Sequence, residues 1–177
     1  LAALVTTDRP GGGDARWLVP LTRVSTRWEH YTMFSWAHLR DWLGEQMLTA
    51  PVTLGGLAIV GVALLVDRRR SRGAPAGQGN GSQPGGGAGR DELRFLAACT
   101  GLYWLFTFVW NPDYGGQRDW DLFSLAAIPS TLLLARLLPR ALPGRAHLAQ
   151  AAVMLTAVSA MHTMPWVYQN TLPWEWP

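Results

Sequence analysis

Four stretches of this chain, residues 46–66, 95–112, 122–135 and 146–174, contain no Asp, Glu, Lys or Arg. They take up 82 of the 177 residues, so all 27 charged side chains fall in the other 95. A water-exposed helix carries charge along its polar face every few residues, and these stretches do not. A bilayer core about 30 Å thick needs roughly 20 apolar residues at about 1.5 Å of rise each. Residues 46–66 and 148–168 meet that length directly, and 95–112 lies near the lower limit. Residues 122–135 reach it only when Leu137 and Leu138 are added across Arg136. Arg136 stands close enough to the end of its run to snorkel to the headgroups, whereas at a helix centre it would cost about 2.5–3.5 kcal/mol.

The hydrophobic fraction of 49% would also suit a water-soluble protein, so it is the distribution that decides. Every basic residue is Arg, and a net charge of +3, dispersed along the chain, gives no nucleic-acid surface. Cys99 stands alone, which excludes an intrachain disulfide and a cysteine-based metal cluster. The chain opens on Leu1 without a signal-peptide pattern and reads as the C-terminal part of a longer polytopic protein, with upstream transmembrane helices of the same protein as partners.

Residues 1–34 are mixed and polar, an extracytoplasmic loop segment with a turn at "DRPGGGD" (8–14). Residues 35–49 form an amphipathic helix lying in the membrane interface. Ser35 is its N-cap, and Trp36, Leu39, Leu43 and Met47 share one face. His38, Arg40, Asp41 and Glu45 take the other faces, with His38 and Asp41 spaced to form a solvated pair. A first crossing, 50–66, is stopped by "DRRRSR" (67–72). Residues 67–94 form an Arg-rich and Gly-rich cytoplasmic linker, flexible over 73–89. A second crossing, 95–110, leads into an acidic extracytoplasmic hairpin, 111–121. A third crossing, 122–138, kinks at Pro129. After a cytoplasmic turn, 139–147, a fourth crossing, 148–168, ends in an extracytoplasmic tail, 169–177, whose tryptophans suit a membrane–water interface. The fold class expected is therefore an all-α polytopic membrane fragment, with four transmembrane helices plus one interfacial amphipathic helix.

Orientation follows from arginine. Arg68, Arg69, Arg70, Arg72, Arg90 and Arg94 lie between crossings one and two, and Arg136, Arg140 and Arg145 between three and four. The short hairpin on the opposite side holds only Arg118. The positive-inside bias then puts 67–94 and 136–147 in the cytoplasm.

The hairpin "NPDYGGQRDWD" (111–121) supports two accounts. In the first it is a turn: Asn-Pro ends one helix, Gly115-Gly116 permits reversal, Asp119 caps the next helix, Trp120 anchors in the headgroups, and Arg118 pairs with Asp113 or Asp121. In the second, Asp113, Asp119 and Asp121 bind a divalent cation or a hydroxyl-rich substrate, and Arg118 meets a phosphate bidentately. Asp119 and Asp121 can share a cation only if the helix begins after Asp121, because residues two apart diverge on a helix and align on an extended strand. His162, near the outer end of crossing four, either bonds to backbone freed by Pro165 or lines a cavity with the acidic loop. No P-loop, dinucleotide-binding glycine motif, zinc-type histidine pair or nucleophile elbow is present.

At "YTMFSWAHLRDWLGEQMLTAP" (31–51), "NPDYGGQRDWDLFS" (111–124) and "HTMPWVYQN" (162–170), the chain resembles the C-terminal membrane region of large bacterial polytopic proteins, some classed with integral-membrane glycosyltransferases of the C superfamily. The resemblance covers most of 28–170, excluding the 73–89 linker. It implies a multi-pass protein of the bacterial inner membrane using a lipid-phosphate sugar donor at the outer face, with the lipid bilayer and a lipid-linked sugar as partners. In that superfamily the catalytic acid lies in the first extracytoplasmic loop, which has no counterpart in the matched residues, so no catalytic residue is carried over. The competing class is a transporter, in which the prolines, His162 and the acids would line a pathway. A scaffold subunit is the third reading.

Overall fold

The computed structural model describes residues 18–22, 32–73, 88–111 and 120–172. Among these, helices account for nearly all regular structure: α1 (Trp36–Thr49), α2 (Thr53–Gly73), α3 (Ala88–Val109), α4 (Trp120–Ser124), α5 (Ala127–Ala141) and α6 (Arg145–Thr171). Two stretches, Gly89–Val109 and Leu122–Ala141, are long and apolar enough to cross a membrane. The number becomes three if α1 and α2, bent by 97° at their junction, count as one broken span. The α6 helix has ample length at 27 residues, but Gln150, His162 and Pro165 dilute its apolar character, and it is not among them.

Local chemistry explains most of the helix ends. Ser35 caps α1 as its sequence predicts, its Oγ accepting from the His38 backbone N–H at 3.2 Å. The bend after α1 falls at Ala50-Pro51, since a residue before proline avoids helical geometry. Two boundaries differ from the sequence reading. The "DRRRSR" run does not stop α2, which continues to Gly73, because arginine is a good helix former and the charges tolerate water. The third crossing is interrupted at Leu125-Ala126, between α4 and α5, rather than at Pro129 itself. Proline disrupts the carbonyl four residues before it. Ser130, buried beside the break, returns its hydroxyl to the Ala126 and Ala127 carbonyls at 2.6 and 3.2 Å.

The packing centres on α5, which lies against both α2 and α3. Thr53 meets Thr131 through their hydroxyls at 3.2 Å, and Gly56 approaches Leu134 one turn later, so α2 and α5 run parallel. Arg136 meets Glu92 at 2.8 Å and Arg140 reaches the Gly89 carbonyl at 3.5 Å, so α3 runs antiparallel to α5. These contacts sort the helix ends. The C-terminal ends of α2 and α5 and the N-terminal ends of α3 and α6 bear Arg68–Arg70, Arg90, Arg94, Arg136, Arg140 and Arg145. The opposite end gathers α1, the end of α3 with Trp110, and the start of α4. Large apolar side chains face outward along the bundle, among them Ile59, Leu102, Leu105, Ile128, Leu132, Val153 and Met161. This outer surface suits lipid tails rather than water.

Candidate functional site

The end of the bundle opposite the arginines holds a buried polar junction. Its first component is α1, whose orientation reverses the usual rule. His38, Glu45 and Gln46 are buried, while Trp36 (73% exposed) and Met47 (55%) face outward. A helix on a water-soluble core would do the opposite; the outward face mixes these apolar side chains with exposed Arg40 and Asp41, as suits a boundary between apolar and aqueous surroundings.

The second component is the last turn of α3. Thr107, 1% exposed, lies at the centre. Its hydroxyl donates to the Trp104 carbonyl at 3.1 Å and accepts from Trp42 Nε1 at 3.1 Å and Gln46 Nε2 at 3.3 Å. Both lone pairs and the proton of one hydroxyl are therefore engaged. Around it, the Trp42 ring stands edge-on to Trp104 and Phe108, with centroids 6.4 and 5.7 Å apart.

A helix leaves its last four carbonyls without intrahelical partners, and here the tertiary structure supplies two of them while the Trp110 N–H takes the Phe106 carbonyl. The Phe108 carbonyl accepts from His38 Nε2 at 2.7 Å, and the Val109 carbonyl from the Val19 N–H at 2.9 Å. Residues 18–20 lie against this end through an antiparallel bridge of Leu18 with Trp110. Because a carbonyl can only accept, Nε2 of His38 carries the proton. Burial holds the His38 imidazole below its ordinary pKa, against the opposing effects of the Phe108 carbonyl and the Asp41 charge. The sequence-predicted pair of His38 with Asp41 does not form as a hydrogen bond. Asp41 instead pairs with its neighbour Arg40 at 3.2 Å, and His38 turns inward to the helix end.

His162 repeats the device. Its Nε2 donates to the Leu48 carbonyl, in the last turn of α1, at 3.0 Å. The backbone it serves belongs to α1 rather than to the segment freed by Pro165. His162→Phe keeps the ring and removes the donor, so it should lower stability by about 1 kcal/mol. The check is denaturant titration in micelles, followed by tryptophan fluorescence. An unchanged midpoint would mean that water replaces the histidine.

Of the other residues singled out in the sequence, Asp113, Arg118 and Asp119 lie outside the described residues. Asp121 lies in α4, but its side chain is not among those described. Because α4 begins at Trp120, Asp121 is helical and the extended entry that Asp119 and Asp121 need to share one cation is not formed. Among the described residues there is no group of three His, Cys, Asp or Glu side chains placed to hold a metal ion. Both flanks of the loop, Trp110-Asn111 and α4, belong to the end that carries the polar junction, since α4 packs against α1. His162 reaches that same end through Leu48. Sequence reasoning missed Trp42, Gln46 and Thr107. Their signal was the presence of polar groups close to, or within, uncharged runs, where a hydrogen-bonding side chain usually has a fixed partner. Comparison with protein-family models, with curated proteins and with solved structures found no match.

Proposed function

We propose that this chain is the membrane-embedded part of a multi-pass protein of the bacterial inner membrane. On this reading α2, α3, α4–α5 and α6 make four crossings, and α1 lies in the outer interface. The arginine-bearing helix ends then face the cytoplasm, and the acidic loop emerges outside. The activity we assign to the whole protein is glycosyl transfer from a lipid-phosphate sugar donor at the outer face. The loop 111–121 shapes the substrate cleft: Arg118 meets the donor phosphate, and Asp113, Asp119 and Asp121 meet sugar hydroxyls.

The observation that carries this reading is the sorting of the helix ends, with nine of the ten described arginines at one end and Arg40 with the flanks of the acidic loop at the other. The sugar-donor assignment rests on the resemblance of residues 31–51, 111–124 and 162–170 alone. A transporter pathway through His162 is less favoured, because that imidazole donates to the Leu48 carbonyl.

Two measurements test the proposal. A protease-cleavable tag at residue 80 should be protected in intact cells and cut after permeabilisation; cleavage in intact cells would overturn the topology. A photoactivatable polyprenyl-phosphate sugar should label the intact protein within 111–121, with labelling lost by competition with unmodified donor. Uniform labelling along the crossings, or none, would remove the donor assignment while leaving the topology standing.

A further inference from the structure

The two stretches long enough to cross, Gly89–Val109 and Leu122–Ala141, carry charges within their own length. Glu92 and Arg94 lie in the first, Arg136 and Arg140 in the second. The neighbouring α2 stays apolar for longer. Thr53 meets Thr131 and Gly56 meets Leu134, a register that sets Arg136 beside Ala58 and Arg140 beside Val62. Val60 is buried, so this packing continues past Gly56. Asp67, the first charge of α2, follows Ala58 by nine residues, about 13 Å of helix. Over that distance α2 turns Val62 and Leu65 outward, while α3 and α5 are already charged. Charges level with an apolar stretch of a neighbouring helix need a polar partner.

Two guanidiniums converge at this level. Arg136 bonds Glu92 through Nε and a terminal nitrogen at 3.0 and 2.8 Å. The same terminal nitrogen lies 3.6 Å from where a Cβ on Gly89 would stand. Arg140 points a terminal nitrogen at the Gly89 carbonyl at 3.5 Å, the outer limit of a hydrogen bond. Gly89 thus lies against both arginines, and the one carboxylate between them, Glu92, is taken by Arg136. Arg140 keeps most of its donors for another acceptor. Arg136 and Glu92 are half exposed, so the corner opens to the surroundings.

The surface leading from this corner towards the middle of the bundle is apolar. On α5, Leu132 and Ile128 precede Arg136 at four-residue spacing and so share its face; both are exposed. On α3, Phe95 stands one turn after Glu92 and Leu102 two turns further, both exposed. We infer that the corner of Gly89, Arg136 and Arg140 binds the phosphate of an anionic phospholipid, whose acyl chains lie along Leu132, Ile128, Phe95 and Leu102. A guanidinium meets a phosphate with two parallel hydrogen bonds, and arginines at a membrane surface attract anionic headgroups. A free phosphate would use the arginines but not the apolar strip beside them. This inference rests on the membrane reading above and adds a ligand at its arginine-bearing face.

The test measures lipid selectivity of the chain reconstituted in phosphatidylcholine bilayers at physiological ionic strength. Electron spin resonance of chain-labelled phosphatidylglycerol and phosphatidylcholine reports how much of each lipid is held against the protein. Phosphatidylglycerol should be preferred by about five-fold. Arg140→Gln, a change at an exposed side chain, should bring the preference to about two-fold or below. Arg68→Gln, Arg69→Gln and Arg70→Gln together remove three charges from the end of α2 and should leave most of it. Glu92→Gln, which releases Arg136 from its carboxylate, should raise it. No preference, an unchanged preference in Arg140→Gln, a fall in Glu92→Gln, or a larger loss in the α2 variant overturns the site and leaves the crossings standing. Loss of the preference in excess inorganic phosphate, at constant ionic strength, overturns the lipid as occupant. A chain that does not enter bilayers overturns the membrane reading as well.

Discussion

Replacing Thr107 with valine should destabilise the bundle by about 2 kcal/mol, through loss of an acceptor rather than loss of volume. Valine matches threonine in shape, so packing is nearly unchanged. What disappears is the single oxygen that accepts from both Trp42 Nε1 and Gln46 Nε2. A buried donor left without a partner costs about 1–3 kcal/mol. Interhelical hydrogen bonds measured within membranes are weaker, averaging about 0.6 kcal/mol, because alternative partners are found. Two donors on one acceptor, sealed under aromatic rings, have few alternatives. The same cost has a diagnostic reversal: removing a donor as well as the acceptor should restore stability. Gln46→Met in the Thr107→Val background is therefore expected to recover about 1 kcal/mol. Denaturant midpoints of the two single variants and the double variant, measured in micelles, give the cycle. Additive losses would show that the hydroxyl is not the shared acceptor.

The second large effect belongs to Gly56, where α2 packs closely on α5. A Cβ at this position would stand 2.8 Å from Leu134 Cδ2. Alanine is tolerable there, because the atom it meets is the mobile end of a side chain. Leucine is not, since its further atoms would have to enter space already held by Leu134, and the two helices would separate. Overpacking of this kind costs about 1–3 kcal/mol, and here it also strains the Thr53–Thr131 hydroxyl contact one turn away. Leu134→Ala, itself destabilising by about 2–5 kcal/mol as a cavity, should be less harmful in the Gly56→Leu background than alone. The neighbouring Gly55 has open space where a Cβ would stand. Gly55→Leu is therefore the control, expected to be neutral or slightly stabilising through helix propensity. Equal losses at the two glycines would mean that the close approach is not what Gly56 provides.

What was legible in the sequence was local. Ser35 could be read as a cap because an N-cap is decided within four residues, and the helical course of the uncharged runs follows from their composition. The face that α1 buries was not legible. Reading the helix as interfacial left Trp36, Leu39 and Met47 outward, where they are, but the periodicity carried no sign that His38, Glu45 and Gln46 are buried against neighbouring helices. The partners of His38 and His162 were equally hidden, because each bonds a carbonyl at the end of a helix far away in the chain. The arginine run after Val66 read as a stop because charge ends a membrane span, but the end of a span is not the end of a helix, and α2 continues through it. In the acidic loop, Asp113, Arg118 and Asp119 lie outside the described residues, and Asp121 stands in the first turn of α4.

The bond from His162 to the Leu48 carbonyl joins residues 114 positions apart. A ribosome delivering this chain emits α1 and its corner first and α6 last. Until α6 is made, the final turn of α1 must rely on water or headgroups to satisfy that carbonyl. The first corner to be synthesised is thus among the last to be completed: a nascent chain arrested before residue 162 would hold α1 through α3 and α4 alone, with its final turn still open.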